Sequence, residues 1–311
     1  MESIKSRQSI LAVALFALLY LGASGCGDGG GGAGPGPFYV ALGNSLSVGF
    51  QPDAQGVGHV TDEGYADQLH QALLPNFPGL QLVKFGCPGE TTVTMLEGGI
   101  CDYDKGSQID QAVDFILANK DKIALITIDI GVNDLLNSSC LNLDVSPPQA
   151  DPVCIQNLIR GPIVSNLSLI MSTIFQAVNQ DTPVIGMNYY NPFLAVAITP
   201  NCGAPCLQFA GLSDALAKGF NGALTQVYGL FGYPTADVYT KFNSGDFTPV
   251  PTASIGLPSP PFPPQIPLNV GLICALTFNC TPPPQGPDIH ARPTGYGLIA
   301  EAFLDIINAA P

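Results

Sequence analysis

The feature that most constrains the fold is an alternation of short apolar runs with helical patterns, which begins at Phe38. Mostly apolar runs rich in β-branched or aromatic residues are typical of strands in a parallel sheet that is covered on both faces. Five such runs occupy residues 38–42, 80–85, 123–130, 183–190 and 235–239. Helical patterns between and after them include 107–117, 155–178, 207–228 and 294–308. The sequence therefore predicts an α/β fold, a three-layer α/β/α sandwich with a mainly parallel five-stranded sheet.

The N-terminal segment, residues 1–25, has the pattern of a signal peptide. Lys5 and Arg7 precede the apolar run Ile10–Leu21, which is shorter than the roughly 20 residues that a membrane-spanning helix needs. Small residues directly before Cys26 resemble a bacterial lipobox, so we expect a lipidated Cys26 and a Gly-rich tether over 26–37. The alternative is an ordinary secretory signal cut near residue 25. Both interpretations predict export, and the first predicts anchoring to a membrane or at the cell surface.

The cysteine count agrees with export. Nine cysteines are present, and the eight that remain beside Cys26 form an even set, which indicates disulfides in an exported chain. Zinc is the competing explanation, but no histidine lies near any pair of cysteines. The pairing is not fixed by sequence, although chain order favours four local bridges: Cys87–Cys101, Cys140–Cys154, Cys202–Cys206 and Cys274–Cys280.

Two compositional features limit the function and the domain organisation. The formal net charge of −14 excludes a nucleic-acid binder, which needs an excess of cations. The segment 248–287 contains 12 prolines in 40 residues together with many apolar residues. So long a connection without a convincing helix or strand is typical of a functional loop. We therefore expect one domain over 38–311 that carries a Pro-rich insert over 248–287.

Polar segments follow the predicted strands at the same edge of the sheet. The first strand ends in Gly43-Asn44-Ser45, and a serine on such a turn is where an α/β enzyme places a nucleophile. The second strand leads to residues 86–92, the third leads to residues 131–134, and Asp288-Ile289-His290 precedes the last helix. Because the carboxyl ends of parallel strands share one edge, these segments can converge on one spot.

These segments resemble, in order and spacing, the motif blocks of the GDSL or SGNH serine hydrolases. The similar stretches are YVALGNSLSVGF, GCPGETT, GVND and DIHARPTGYGLIAEAF, and the resemblance extends over almost the whole chain after Phe38. It implies the flavodoxin-like SGNH hydrolase fold and hydrolysis of carboxylic esters on a serine, without a metal or another cofactor.

The resemblance also implies a role for each site residue. Ser45 would attack the acyl carbon, His290 would act as general base and acid, and Asp288 would orient the imidazole. The oxyanion hole would consist of the backbone N–H groups of Ser45 and Gly89 and the side-chain amide of Asn133. The simpler alternative is that Gly89 is only a turn glycine and that Asn133 only caps a helix.

Two positions depart from the family pattern. Asn44 stands where the family has an aspartate, which removes a charge beside the nucleophile. The family places its aspartate three residues before the histidine, where this chain has Pro287, so either Asp288 or a backbone carbonyl orients His290. Two other histidines, His59 and His70, lie in no catalytic motif.

Together these features predict an exported, lipid-anchored serine esterase or lipase that acts on a small-molecule or lipid ester. The apolar insert favours substrates with an acyl chain and is expected to cover the acyl side of the site. Two alternatives stay open. The first is an O-acetyl esterase of polysaccharide or peptidoglycan, and the second is a non-catalytic surface-binding lipoprotein on the same scaffold.

Overall fold

The computed structural model of the protein describes residues 36–309. The predicted signal peptide, Cys26 and most of the predicted tether lie outside the described residues, so these assignments stay predictions.

The described chain contains eleven strands and ten helices. The strands are β1 (Phe38–Gly43), β2 (Gln51–Pro52), β3 (Gly58–His59), β4 (Gln81–Lys84), β5 (Ile123–Asp129), β6 (Leu141–Asn142), β7 (Gln149–Ala150), β8 (Val184–Met187), β9 (Thr235–Ala236), β10 (Pro249–Pro251) and β11 (Gln265–Pro267). The helices are α1 (Tyr65–Leu73), α2 (Thr92–Glu97), α3 (Gln108–Ala118), α4 (Val132–Leu136), α5 (Pro152–Leu158), α6 (Val164–Ala177), α7 (Ala204–Leu230), α8 (Val238–Lys241), α9 (Leu268–Leu276) and α10 (Pro293–Ala309). Short 3₁₀ turns cover Lys120–Lys122, Pro192–Ile198 and Thr252–Ile255.

A five-stranded parallel sheet forms the middle layer and confirms the predicted fold class. Its strand order is β4-β1-β5-β8-β9, which is the flavodoxin-like order 2-1-3-4-5 when these strands are counted along the chain. Every residue of β1 is buried, as expected for a central strand with helices on both faces. Val40 of β1 lies opposite Val83 of β4 on one side and Ile126 of β5 on the other.

Two predicted elements are corrected by the structure. The predicted strand 235–239 ends at Ala236, because the Asp237 side chain caps α8 by accepting the Thr240 N–H. The predicted helix 155–178 is α5 and α6 joined by a π-helical turn, Ile159–Ile163. Pro162 lies inside that turn and has no N–H for a regular helical hydrogen bond, which explains the wider turn.

The joined helical stretch Pro152–Ala177 is long and apolar enough to cross a membrane by length and composition. Its α6 part buries Leu167, Ile170 and Ile174, as a helix that packs in the core of an α/β layer does.

The Pro-rich insert contains two strands and a helix, although its sequence shows no convincing element. Its strands β10 and β11 pair antiparallel, and α9 follows directly. Ile266, Val270 and Ile273 are buried and belong to the hydrophobic core of the domain. Beyond α9, the side-chain amide of Asn279 donates to the carbonyl oxygen of Pro192 at 2.6 Å, which ties the insert to the 3₁₀ turn that begins there.

Four disulfides are present, and they join the pairs that chain order favoured. They link Cys87 to Cys101, Cys140 to Cys154, Cys202 to Cys206 and Cys274 to Cys280.

Candidate active site

The turn that carries Ser45 begins where β1 ends. Gly43 has a φ of +134°, and a Cβ at this position would collide with the carbonyl oxygen of Asp129 on the neighbouring strand. Glycine is therefore required if the chain is to turn sharply at the sheet edge. The turn places the Ser45 hydroxyl 2.9 Å from Nε2 of His290.

His290 joins Ser45 to Asp288. Nδ1–H of His290 donates to Asp288 Oδ1 at 2.7 Å, and the His290 backbone N–H donates to the same oxygen at 2.8 Å. With its proton on Nδ1, the imidazole presents a free Nε2 that accepts from the Ser45 hydroxyl. Of the two candidates for orienting His290, the carboxylate is the group that faces Nδ1.

The electrostatics of Asp288 fit that arrangement. Partial burial opposes ionisation of the carboxyl, but hydrogen bonds from the ring and backbone of His290, together with the charge of the imidazolium form, outweigh it. The pKa of Asp288 is therefore held below its ordinary value, so the carboxyl is ionised near neutral pH.

The insert holds the Asp288–His290 turn through its backbone. The Phe278 N–H donates to the His290 carbonyl at 3.0 Å, and the Asp288 N–H donates to the Phe278 carbonyl at 3.2 Å. From the other side, the Tyr190 hydroxyl donates to the Ile289 carbonyl at 2.8 Å. Phe278 lies between the two cysteines of the Cys274–Cys280 bridge, so that bridge closes the segment on which the turn rests.

The two other oxyanion candidates lie on adjoining loops. Gly89 has a φ of +86°, a conformation that favours glycine, and Nδ2 of Asn133 donates to the Glu90 carbonyl at 2.9 Å. Asn133 is not a helix cap, because the N-cap of α4 is Gly131. Its side chain instead extends to the loop that carries Gly89.

Asp134 fixes these two loops to each other. Its carboxylate accepts the Thr92 backbone N–H at 2.8 Å and the Thr92 hydroxyl at 2.6 Å. Burial raises the pKa of Asp134 above its ordinary value, against the hydrogen bonds from Thr92, which lower it. The last residue of the GVND motif therefore connects α4 to the start of α2.

A buried acid that the sequence analysis missed lies beneath the nucleophile. The Asp129 carboxyl accepts from the Tyr65 hydroxyl at 2.8 Å and from the Asn44 backbone N–H at 3.3 Å, and it is fully buried. Burial raises the pKa of Asp129 well above its ordinary value, although both hydrogen bonds lower it. The available signal was the single acid within the apolar run IALITIDI.

Asn44 takes part in the same buried network. Its Nδ2 donates to the Tyr189 hydroxyl at 3.0 Å, and its Oδ1 accepts the Leu46 N–H at 3.0 Å. The amide thus fixes the backbone on the far side of Ser45.

An apolar cavity of about 70 Å³ lies at the same edge of the sheet. Val132, the residue before Asn133, lines the cavity. Tyr189, whose hydroxyl accepts a hydrogen bond from Asn44 Nδ2, lines it as well. Further apolar lining comes from Leu135, Leu141, Phe209 and Phe220. None of the lining residues belongs to the insert 248–287, so the insert does not form this wall, and its expected position over the acyl side stays a prediction.

The two remaining histidines have other partners. His59 contacts the carboxylate of Asp53 at 3.0 Å on an exposed hairpin, and Nε2 of His70 lies 2.9 Å from the carbonyl oxygen of Leu80. Over residues 36–309, no group of three or more His, Cys, Asp or Glu side chains is placed to hold a metal ion.

The chain is similar to known proteins in sequence pattern and in fold. A family model described as the GDSL-like lipase/acylhydrolase family matches residues 41–256. The chain is similar to the solved structure of the lipase Lip_vut3 from a goat rumen metagenome, with 18% identity, a TM-score of 0.50, and coverage of 86% of this chain and 96% of that one. It is also similar to an extracellular lipase from Streptomyces rimosus, with 18% identity, a TM-score of 0.48, and coverage of 67% and 82%. No curated protein sequence matches the chain significantly.

Proposed function

Because the chain belongs to the GDSL-like lipase/acylhydrolase family, whose members hydrolyse esters, we propose that it is a serine esterase or lipase that works through an acyl-enzyme on Ser45. The observation that carries the proposal is the continuous hydrogen-bonded line from Ser45 through His290 to Asp288, at 2.9 Å and 2.7 Å. A serine, a histidine and an acid in this order are the parts that nucleophilic acyl transfer needs.

The proposed reaction has two halves. As the Ser45 oxygen bonds to the acyl carbon, Nε2 of His290 takes the hydroxyl proton, and Asp288 stabilises the imidazolium. The tetrahedral intermediate then expels the alcohol, which leaves with the proton from Nε2. In the second half a water molecule attacks the acyl-enzyme, His290 takes its proton, and Ser45 recovers that proton as the acid departs.

Charge on the acyl oxygen is stabilised by three donors in this proposal. They are the backbone N–H groups of Ser45 and Gly89 and the second hydrogen of Asn133 Nδ2, whose first hydrogen bonds the Glu90 carbonyl. The positive φ of Gly89 and the docking of Asn133 on the same loop support this assignment.

The nucleophile is tested by covalent labelling. An alkyl phosphonate ester that traps nucleophilic serines is expected to add one phosphonyl group to the wild type and none to Ser45→Ala, as read by intact mass. Ser47→Ala is the matched control, because Ser47 lies two residues away and only donates to the Asn44 carbonyl at 2.7 Å. Labelling that persists in Ser45→Ala would refute the assignment.

The apolar cavity supports substrates with an acyl chain over acetylated polysaccharide or peptidoglycan. An acetyl group does not need an apolar wall, whereas an aliphatic chain gains free energy from every methylene group that it buries. Ala217→Phe fills part of the cavity and is expected to lower kcat/KM for p-nitrophenyl octanoate more than for the acetate. Ala215→Phe, on the exposed face of the same helix, is the control. An equal loss on both esters would favour the O-acetyl esterase.

Export and anchoring complete the proposal. Residues 1–25 act as a signal peptide, and Cys26 carries a lipid that holds the enzyme at a membrane. The four disulfides support an oxidising compartment. Wild-type protein is expected to partition into the detergent phase, and Cys26→Ser to remain aqueous and active. Wild-type protein found entirely in the aqueous phase, with a mature N-terminus beyond Cys26, would exclude the lipid.

A further inference from the structure

Gln108, the first residue of α3, makes paired hydrogen bonds with the backbone at the end of β1. Its Oε1 accepts the Gly43 N–H at 2.6 Å, and its Nε2 donates to the Gly43 carbonyl at 2.9 Å. Gln108 is fully buried. The two bonds fix the orientation of the amide, since only the oxygen can accept from the Gly43 N–H. The side chain of Gln108 therefore holds the residue that begins the Ser45 turn.

The same amide also holds the loop of Gly89. Nε2 of Gln108 donates to Oε2 of Glu90 at 2.9 Å, and Glu90 follows Gly89 directly. The Tyr103 hydroxyl bonds the same carboxylate oxygen at 3.2 Å. Glu90 is almost fully buried, and its Oε1 has no hydrogen-bond partner among the described residues. The position of this buried carboxylate therefore depends on Gln108 and Tyr103.

We propose that Gln108 and Glu90 form a clamp that sets the distance between the Ser45 turn and the Gly89 loop. This inference rests on the proposed function, in which the N–H groups of both loops stabilise one oxyanion. Two donors on separate loops can bind the same oxygen only if the loops keep a fixed spacing. Gln108 is a positioning residue in this scheme, because it bonds both loops and acts only through them.

The two loops need such a link because they follow different strands, β1 and β4. Ser45 follows β1 and Gly89 follows β4, so each loop extends beyond the last paired residues of its strand. Beyond the strands, the Cys87 N–H donates to the Gly43 carbonyl at 3.1 Å, which is the same oxygen that Gln108 bonds. A shift of about 1 Å in an oxyanion donor can lower the rate about a hundredfold. The clamp therefore has a measurable role even if the fold survives without it.

The decisive test exchanges donor and acceptor within the clamp. Gln108→Glu keeps an acceptor for the Gly43 N–H but places a second carboxylate against Glu90. We expect kcat on a p-nitrophenyl ester to fall about a hundredfold, with KM changed less than threefold because the apolar cavity is untouched. Adding Glu90→Gln restores one donor opposite one acceptor. The kcat of the double variant is therefore expected to be at least about tenfold higher than that of Gln108→Glu alone. The rate of phosphonate labelling should follow kcat.

A matched control separates positioning from a general effect of charge. Gln111→Glu makes the same change one turn along α3, where the Gln111 side-chain oxygen accepts the Lys105 N–H on the surface. This variant is expected to keep wild-type kcat. If Gln108→Glu does not fold, Glu90→Leu alone gives the answer, since it removes the carboxylate that Gln108 Nε2 and the Tyr103 hydroxyl bond and should lower kcat about tenfold.

The outcomes distinguish the clamp from the proposed function. Wild-type kcat in folded Gln108→Glu, or in Glu90→Leu where that variant is the one measured, overturns the clamp. So does a double variant that stays as slow as the single one. If Ser45→Ala is still labelled and active, the proposed function fails instead. Recovery in the double variant without a matching change in melting temperature supports positioning, because a purely structural role would move kcat and stability together.

Discussion

Replacing Asp288 by Asn tests whether the carboxylate orients His290. In the wild type, Asp288 Oδ1 accepts both the ring Nδ1–H and the backbone N–H of His290. The amide introduced by Asp288→Asn keeps the shape and can still accept the backbone N–H. Its NH₂ group can also face Nδ1, which favours the tautomer that carries the proton on Nε2. That tautomer cannot take the proton of Ser45.

The expected magnitude follows from the exposure of the carboxylate. In a fully buried Ser-His-Asp triad the same change lowers kcat about 10⁴-fold. Here 28% of the Asp288 side chain is exposed to solvent, so water weakens its electrostatic interaction with the imidazolium. We therefore expect a loss of about 10²- to 10³-fold in kcat, or about 2.7 to 4.1 kcal/mol in the activation barrier. KM should change little, because Asp288 does not line the apolar cavity.

The assay is steady-state hydrolysis of p-nitrophenyl butyrate, with melting temperature as the check on folding. The control is Asp53→Asn, which removes the carboxylate from the other Asp–His pair, the exposed contact of 3.0 Å with His59. It should leave kcat within about twofold of the wild type, as expected for a surface change. A loss below tenfold in Asp288→Asn, with Ser45→Ala inactive, would mean that a backbone carbonyl orients the imidazole and that the site is a dyad.

Two further predictions concern stability. The folded pKa of Asp129 is raised by burial, so its contribution to stability is complete below the unfolded pKa and is lost as pH rises. Asp129→Asn cannot ionise, so its stability relative to the wild type should increase above about pH 4, by up to about 1.4 kcal/mol per pH unit in urea unfolding. If the stability of Asp129→Asn relative to the wild type falls as pH rises, the raised pKa of Asp129 is contradicted. Removing either short disulfide by paired Cys→Ala changes should lower the free energy of unfolding by about 2 kcal/mol through loop entropy. The loss of Cys274–Cys280 should also lower kcat. The loss of Cys202–Cys206 should leave kcat unchanged.

The sheet and the convergence of the site residues could be predicted because both follow from local patterns. Apolar runs identified the strands, and parallel strands bring the segments that follow them to one edge. For this reason the sequence predicts that Ser45 and His290 lie close together, and their side chains are 2.9 Å apart in the structure. Their order along the chain carried the information.

The insert shows where local patterns fail. The helix α9 has the sequence LNVGLICAL, which offers no polar face, so its periodicity cannot be recognised. Apart from Asn269 it is apolar, because it packs against β11, the 3₁₀ turn Pro192–Ile198 and α10. β10 and β11 are three residues each, and half of their residues are proline, which strand patterns avoid. The segment contacts the Asp288–His290 turn through backbone hydrogen bonds of Phe278, which no side-chain pattern indicates.

The buried partners of the catalytic loops were missed for a different reason. Gln108 contacts Gly43 across 65 residues of sequence, and Asp129 contacts Asn44 across 85. A buried glutamine or aspartate at a helix start or strand end is an ordinary residue until its partner is known. Such contacts are decided by packing between layers, and a single sequence does not contain that information.

The residue types at positions 44 and 129 are explained by the contact between Asn44 and Asp129. The sequence indicates a missing charge beside the nucleophile, but the structure shows an acid on the neighbouring strand, fully buried and 3.3 Å from the Asn44 backbone N–H. An aspartate at position 44 would put a second acid into the same buried network, where like charges disfavour ionisation of both. It would also lose the Nδ2 donor that reaches the Tyr189 hydroxyl. An amide at position 44 avoids both penalties, because it donates to Tyr189 and accepts from Leu46 without a charge. The departure from the family pattern is therefore consistent with an intact site, since the acid at this edge of the sheet stands at Asp129.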